Sequence, residues 1–126
     1  MKKVFISFDY DHDIDLKNLL VGQAKNTDSP FEIIDMSIKE VISSDWRSAA
    51  RIRVRKCDIV IVICGEHTDT ASGVSAELKI AIEEEKAYFL LKGRANAICV
   101  KPALQVSDKI YLWTWDNLKI LINGKR

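Results

Sequence analysis

Asp58-Ile59-Val60-Ile61-Val62-Ile63-Cys64 is the most hydrophobic run in the chain, and its reading decides the fold. It has no polar alternation, which is the pattern of a central parallel strand buried on both faces of its sheet. A polar loop, Gly65 to Ser72, separates it from Gly73-Val74-Ser75-Ala76-Glu77-Leu78-Lys79-Ile80-Ala81-Ile82-Glu83. There Val74, Leu78, Ala81 and Ile82 recur at the spacing of an amphipathic helix packed on a core. Buried strand, short loop and amphipathic helix together make one unit of an α/β sandwich.

The same unit repeats on both sides. Val4-Phe5-Ile6-Ser7-Phe8 is short, β-branched and aromatic, as a buried strand requires. The acidic loop Asp9-Tyr10-Asp11-His12-Asp13 offers N-cap residues to a helix whose stripe is Leu16, Leu19, Leu20 and Ala24. Asn26-Thr27-Asp28-Ser29-Pro30 is a turn, and Phe31-Glu32-Ile33-Ile34-Asp35 a second strand. Met36 to Asp45 carries no strong pattern and reads as a long loop of the kind that is often functional. Ser44 or Asp45 then caps a helix from Trp46 to Lys56. Beyond the Glu77 helix lie a fourth strand, Ala87 to Leu91, and an irregular stretch, Lys92 to Asp108. A short fifth strand, Lys109 to Trp113, and a helix, Asn117 to Ile122, close the chain. The alternation predicts a flavodoxin-like three-layer α/β sandwich: five parallel strands in the order 2-1-3-4-5, with helices on both faces.

The chain of 126 residues reads as one domain, residues 1–126. A net charge of +1 argues against electrostatic nucleic-acid binding. The local basic cluster Arg47, Arg51, Arg53, Arg55 and Lys56 reads as a solvated helix face. Three cysteines, with no C-x-x-C pair, fit a reducing compartment, and Cys57 and Cys64 read as small buried hydrophobes. His12 and His67 lack metal-ligand spacing, so no metal site is expected. The first residues enter a strand pattern at once, and no stretch approaches a membrane span. The expectation is a cytoplasmic protein with no membrane partner.

Several familiar sites are absent from the sequence. It has neither a G-x-x-x-x-G-K-[ST] loop nor a G-x-G-x-x-G turn after the first strand. The acidic loop after that strand would repel a flavin phosphate. A receiver domain would need its acceptor aspartate where this chain has Cys64. What remains is Glu77, one residue off the apolar stripe and near the helix start. The position predicts a partly exposed carboxylate that borders the core and faces the crevice where open α/β sheets bind ligands. The plainer alternative is that it only complements the helix dipole.

Val4-Phe5-Ile6-Ser7-Phe8 resembles the first box of TIR domains. Arg53 to Cys64 resembles the helix and third strand that end in a glycine loop. Gly65-Glu66-His67-Thr68 and Gly73-Val74-Ser75-Ala76-Glu77-Leu78 resemble the segment that carries the glutamate of NAD-cleaving members. Within the superfamily the chain is most similar to the short prokaryotic TIR-like group, which includes the TIR proteins of Thoeris anti-phage defence. The likeness runs along nearly the whole chain, to Tyr111-Leu112-Trp113-Thr114-Trp115.

The resemblance implies cleavage of NAD⁺ at the nicotinamide–ribose bond, with NAD⁺ as substrate and no cofactor or metal. Glu77 would be the catalytic carboxylate, because an oxocarbenium-like transition state gains from a negative charge in a dry cleft. The same resemblance puts Phe5, Ser7, Phe8 and Asp9 at the floor and rim of an NAD cleft, Trp46 beside a mobile lid, and Gly65 in the glycine loop. Phe5 and Phe8 have a second reading as ordinary core aromatics, and Trp46 one as a helix-start anchor. One departure stands out: Ser72, Gly73, Val74, Ser75 and Ala76 offer no bulky aromatic before the glutamate, which leaves the cleft wall open. The implied partners are further copies of the chain on activation, and a separate effector reached through a diffusible ADP-ribose-derived signal. Two other readings stay open: a non-catalytic TIR-like self-association module, and a nucleoside deoxyribosyltransferase-like enzyme with Glu77 as nucleophile.

Overall fold

The computed structural model, which describes residues 1–37, 46–104 and 107–124, builds its sheet around β3, Ile59–Cys64. All of that strand is buried. It pairs in parallel with β1 (Lys2–Ser7) on one side and β4 (Ala87–Lys92) on the other. β2 (Phe31–Met36) lies outside β1, and β5 (Ile110–Leu112) outside β4. The order is 2-1-3-4-5, all parallel, as the sequence predicts.

Strand alternation sorts the core into two layers. Ile59, Ile61 and Ile63 pack with Val4, Ile6 and Phe89 beneath α1 (Ile14–Ala24) and α4 (Trp115–Ile122). Val60, Val62 and Cys64 pack with Phe5 and Leu90 beneath α2 (Trp46–Arg55) and α3 (Ser72–Glu83). Both faces of β3 are therefore covered, which explains its unbroken apolar sequence.

The helices sit differently from the simplest stripes. In α1, Leu16 and Leu20 are buried, but Leu19 is 55% exposed. In α3, Ile82 is 43% exposed while Ile80 is buried. At about 100° per residue, that exchange turns the buried face toward Glu77. Glu77 therefore lies inside the buried face, among Val74, Leu78, Ile80 and Ala81, and not at its border.

Other boundaries shift by a residue or two. β2 runs through Met36, so the long loop begins later than the pattern suggested, and the rest of it, with its cap at Ser44 or Asp45, lies outside the described residues. The last helix starts at Trp115, where the Thr114 hydroxyl accepts from the Asn117 amide. The basic face of α2 is a paired seam and not simply solvated. Arg51 reaches Glu83 and Glu84, Arg55 reaches Glu84, and Arg53 lies 3.4 Å from Asp35. Arg55 and Arg51 hold the Glu84 carboxyl down at about 2. Among the described residues, no helix is long and apolar enough to cross a membrane.

Candidate functional site

A cavity of about 490 Å³ opens beyond the carboxyl ends of β1, β2 and β3. That size lies in the range of small-ligand pockets. The sheet order places it at the switch point between β1 and β3, where doubly wound sheets bind ligands. Its wall combines residues 8–12 after β1, Ser37 after β2, Trp46 and Arg47 at the start of α2, Thr70 and Ala71 before α3, and the first turns of α3 as far as Glu77.

Glu77 stands at the cavity's buried edge, only 3% exposed. Its Oε1 accepts from Ser7 Oγ at 2.7 Å and from Ser37 Oγ at 2.5 Å. Ser7 reaches it because it ends β1 on the same strand face as Phe5, the face covered by α2 and α3. Ser37 is fixed by its own backbone: its amide donates to the Ile6 carbonyl at 2.9 Å, and its Oγ accepts from the Phe8 amide at 3.2 Å. Burial pushes the Glu77 carboxyl up to about 7, and the Ser37 and Ser7 donors only partly oppose it. This corrects the expectation of a partly exposed helix-start carboxylate. A proton-binding group poised near neutrality and lining a cleft is a typical mark of a functional site.

The rim is acidic and aromatic. Asp9, 7% exposed, accepts from His12 Nδ1 through Oδ2 at 2.7 Å and from the Asp11 amide through Oδ1 at 3.1 Å. The Phe8 and Tyr10 rings stack at 5.5 Å. Phe8, Asp9, Trp46 and Glu77 thus come together on one cavity, with Ser7 directly behind the glutamate.

Besides Ser7, which reaches only Glu77, two expected residues are not brought to the wall. Phe5 lies deeper along β1 and is 1% exposed. It lines a small void behind Glu77 with Trp46, Ala50 and Arg53. Gly65 instead forms a seat for Asp13: a Cβ added to it would lie 2.3 Å from Asp13 Oδ2. Its amide is also occupied, donating to Thr68 Oγ1 at 2.7 Å. Conversely, Ser37, Tyr10, Asp11, His12, Arg47 and Thr70 line the cavity without having stood out in the sequence. Ser37 had one usable signal, its place just past the end of a parallel strand, where ligand-binding loops gather.

A second buried carboxylate lies outside this cavity. Asp13 is 1% exposed, and its Oδ1 meets Arg94 Nη2 at 3.1 Å. Arg94 also bonds Asp15 and the His12 carbonyl. Burial raises the Asp13 carboxyl, and Arg94 offsets part of the rise. Among the described residues, no group of three or more His, Cys, Asp or Glu side chains is placed to hold a metal ion.

Comparison with known proteins is consistent with this architecture. A prokaryotic SEFIR domain of known crystal structure superposes with a TM-score of 0.59 at 18% identity, covering 98% of this chain and 91% of that one. At such low identity the likeness concerns the fold alone. No curated protein matches. A family model described as the TIR-like domain of the Thoeris protein ThsB matches residues 5–96, and supports a TIR-family role in defence. With most of its length matched, including the end of the first strand, the buried third strand and the Glu77 helix, the chain belongs to the Thoeris ThsB TIR-like domain family.

Proposed function

We propose that this chain cleaves the nicotinamide–ribose bond of NAD⁺, with Glu77 as the carboxylate that stabilises the developing ribosyl cation. The observation that carries the reading is Glu77 itself: a buried carboxylate beside a ligand-sized cavity, oriented by two neutral hydroxyls. NAD⁺ carries a cationic leaving group, so departure of nicotinamide needs no general acid. It needs negative charge near C1′ in a site from which water is largely excluded. Ser7 and Ser37 both donate to Oε1, so they hold the carboxylate in one orientation without neutralising it. Binding of the cationic nicotinamide riboside would itself favour the ionised form of a group poised near 7.

The product is an ADP-ribose-derived signal for a separate effector, and turnover requires association of further copies of the chain. The test is incubation of the assembled protein with NAD⁺, followed by chromatography of the products, for wild type and Glu77→Gln. Nicotinamide release that is lost in the variant is the expected result. The self-association reading draws on the same hydrogen bonds, since a scaffold carboxylate would also be held by neighbouring hydroxyls. Under that reading no nicotinamide appears, even from assembled protein. Base exchange on deoxynucleosides in place of NAD⁺ cleavage would instead identify a deoxyribosyltransferase-like enzyme.

A further inference from the structure

The cavity contains a second chemically organised group, and cleavage of the nicotinamide bond does not use it. Asp9 and His12 both line the wall that Glu77 lines. Asp9 is nearly buried, and its backbone carbonyl accepts from the His12 and Asp13 amides at 3.3 and 2.8 Å. The loop is thereby closed on itself, and the imidazole is held by Asp9 Oδ2, 2.7 Å from Nδ1. That bond assigns the Nδ1–H tautomer and leaves a lone pair on Nε2. The His67 ring packs 4.1 Å from the His12 ring. Among the described residues, the other charged groups on the cavity wall are Asp11, Arg47 and Glu77. A carboxylate that fixes the tautomer and orientation of a histidine beside a ligand-sized cavity is the arrangement of a general base.

This inference rests on the NAD⁺-cleavage reading and concerns its second half. When nicotinamide leaves, it takes both electrons of the C1′–N bond and departs neutral. A nucleophile must then supply an electron pair to C1′. A ring nitrogen of adenine carries no proton and needs no base. Water or another hydroxyl, or an N–H group, must lose one as the bond forms. We propose that the Asp9–His12 pair is the general base for a protic acceptor. The acceptor's lone pair forms the new bond to C1′, its O–H or N–H bond breaks, and the proton passes to His12 Nε2 and then to solvent. Asp9 is the positioning residue of the pair. The acceptor class is accordingly a proton-bearing nucleophile.

The test uses the full chain under assembling conditions with NAD⁺, and compares wild type, His12→Asn, Glu77→Gln and added sodium azide. Asparagine retains an N–H donor toward Asp9 but presents nothing at the position of Nε2. Azide is an anionic nucleophile with no proton to lose. His12→Asn is expected to lose about 10²–10⁴-fold in net nicotinamide release, because a ribosyl cation without a deprotonated acceptor is recaptured by the nicotinamide still in the cavity. Azide should restore much of that release and yield the ribosyl azide adduct, while Glu77→Gln stays inactive with azide. Melting curves accompany each variant, and His12→Gln repeats the experiment should asparagine loosen the loop. A His12 variant that is folded and fully active overturns the base role, and so does a slow variant that azide leaves slow. A wild type that releases no nicotinamide overturns the cleavage reading, and this inference with it.

Discussion

Glu77 and Asp13 are two buried carboxylates near the same end of the sheet, and their surroundings differ in almost every respect. Burial raises the proton affinity of both. Asp13 is matched to a cation, Arg94, and is packed on the bare backbone of Gly65. Glu77 is matched to two neutral hydroxyls and borders a cavity large enough for a ligand. A carboxylate with a guanidinium against it has its field largely cancelled. One held only by hydroxyls keeps its charge for whatever cation enters the cavity. The difference separates a carboxylate tied into the scaffold from the one proposed to act on substrate, without appeal to any motif.

The largest expected effect breaks the pair apart by activity. Glu77→Gln keeps the shape and removes the charge, and should lower NAD⁺ turnover by about 10²–10³-fold. Arg94→Met removes no group from the cavity wall but also frees the His12 carbonyl, so it should lower turnover per folded molecule far less than Glu77→Gln does. Steady-state nicotinamide release from both variants makes the check. An equal loss in the two would remove the distinction drawn here.

The pair can also be separated by pH. Glu77 has a carboxyl pushed up to about 7 in the folded chain, against an ordinary value of 4.5. Below the lower value both folded and unfolded chains hold the proton. Between the two values the folded chain holds it and the unfolded chain does not, so stability falls as pH rises through that window. The loss is complete above about 7 and amounts to about 3 kcal/mol at 1.4 kcal/mol per pH unit. Glu77→Gln should therefore be relatively more stable at pH 8 than at pH 5, compared with wild type. Urea unfolding of both proteins at the two pH values measures it. A wild type whose stability rises across this window would mean that Glu77 is ionised in the resting fold.

Arg94→Met probes the other member. It leaves Asp13 buried beside Gly65 without its cation, while Asp13 Oδ2 already lacks a hydrogen-bond partner among the described residues. Arg94 is 30% exposed, so solvent softens the penalty to about 1–3 kcal/mol. Gly65→Ala reaches the same group from the opposite side. The new methyl would overlap the Asp13 carboxylate, which is held too firmly by Arg94 to swing away without loss, and about 1–3 kcal/mol should again disappear. Because both changes act on one cluster, their combination should cost less than the two effects added together. Thermal unfolding of the two single variants and the double variant tests this.

How much of this was legible in the sequence follows from the kind of signal each feature leaves. β3 leaves a continuous apolar run, and the order of strands follows from alternation and right-handed crossovers, so the sheet could be read directly. Glu77 could be located but not its burial. The stripe Val74, Leu78, Ala81, Ile82 fits one rotation of α3, and only packing on α2 and the sheet selects the rotation that exposes Ile82 and buries Ile80. Ser37 left only its place past a strand end as a signal, which does not single out one serine, and its role depends on a carboxylate 40 residues away. Phe5 and Gly65 were placed in the cleft by family likeness. Strand depth removed the first and the Asp13 carboxylate covered the second. Arg94 lies in a stretch without periodicity, yet it ties the segment after β4 back to the start of α1.

The smallest expected effect concerns Gly73, which contrasts with Gly65. Both glycines flank the same loop between β3 and α3, but nothing lies within 4 Å of a Cβ added to Gly73. Gly73 sits in the first turn of α3 and lines the cavity. Alanine in a helix is favoured over glycine by up to about 1 kcal/mol, and by less in a terminal turn, so Gly73→Ala should stabilise the fold by roughly 0.5 kcal/mol. For a chain of this size that is a rise in Tm of about 2 °C. A fall in Tm would contradict the described start of α3. The activity of the same variant locates substrate within the cavity. If the bound molecule stays near Glu77 and the acidic rim, one methyl at Gly73 changes KM little. If it extends along the small-residue wall from Ser72 to Ala76, the methyl meets it and KM rises while Tm still increases. Gain of stability together with loss of affinity would show that glycine is kept at this position to leave room for the ligand, whereas Gly65 is kept to leave room for Asp13.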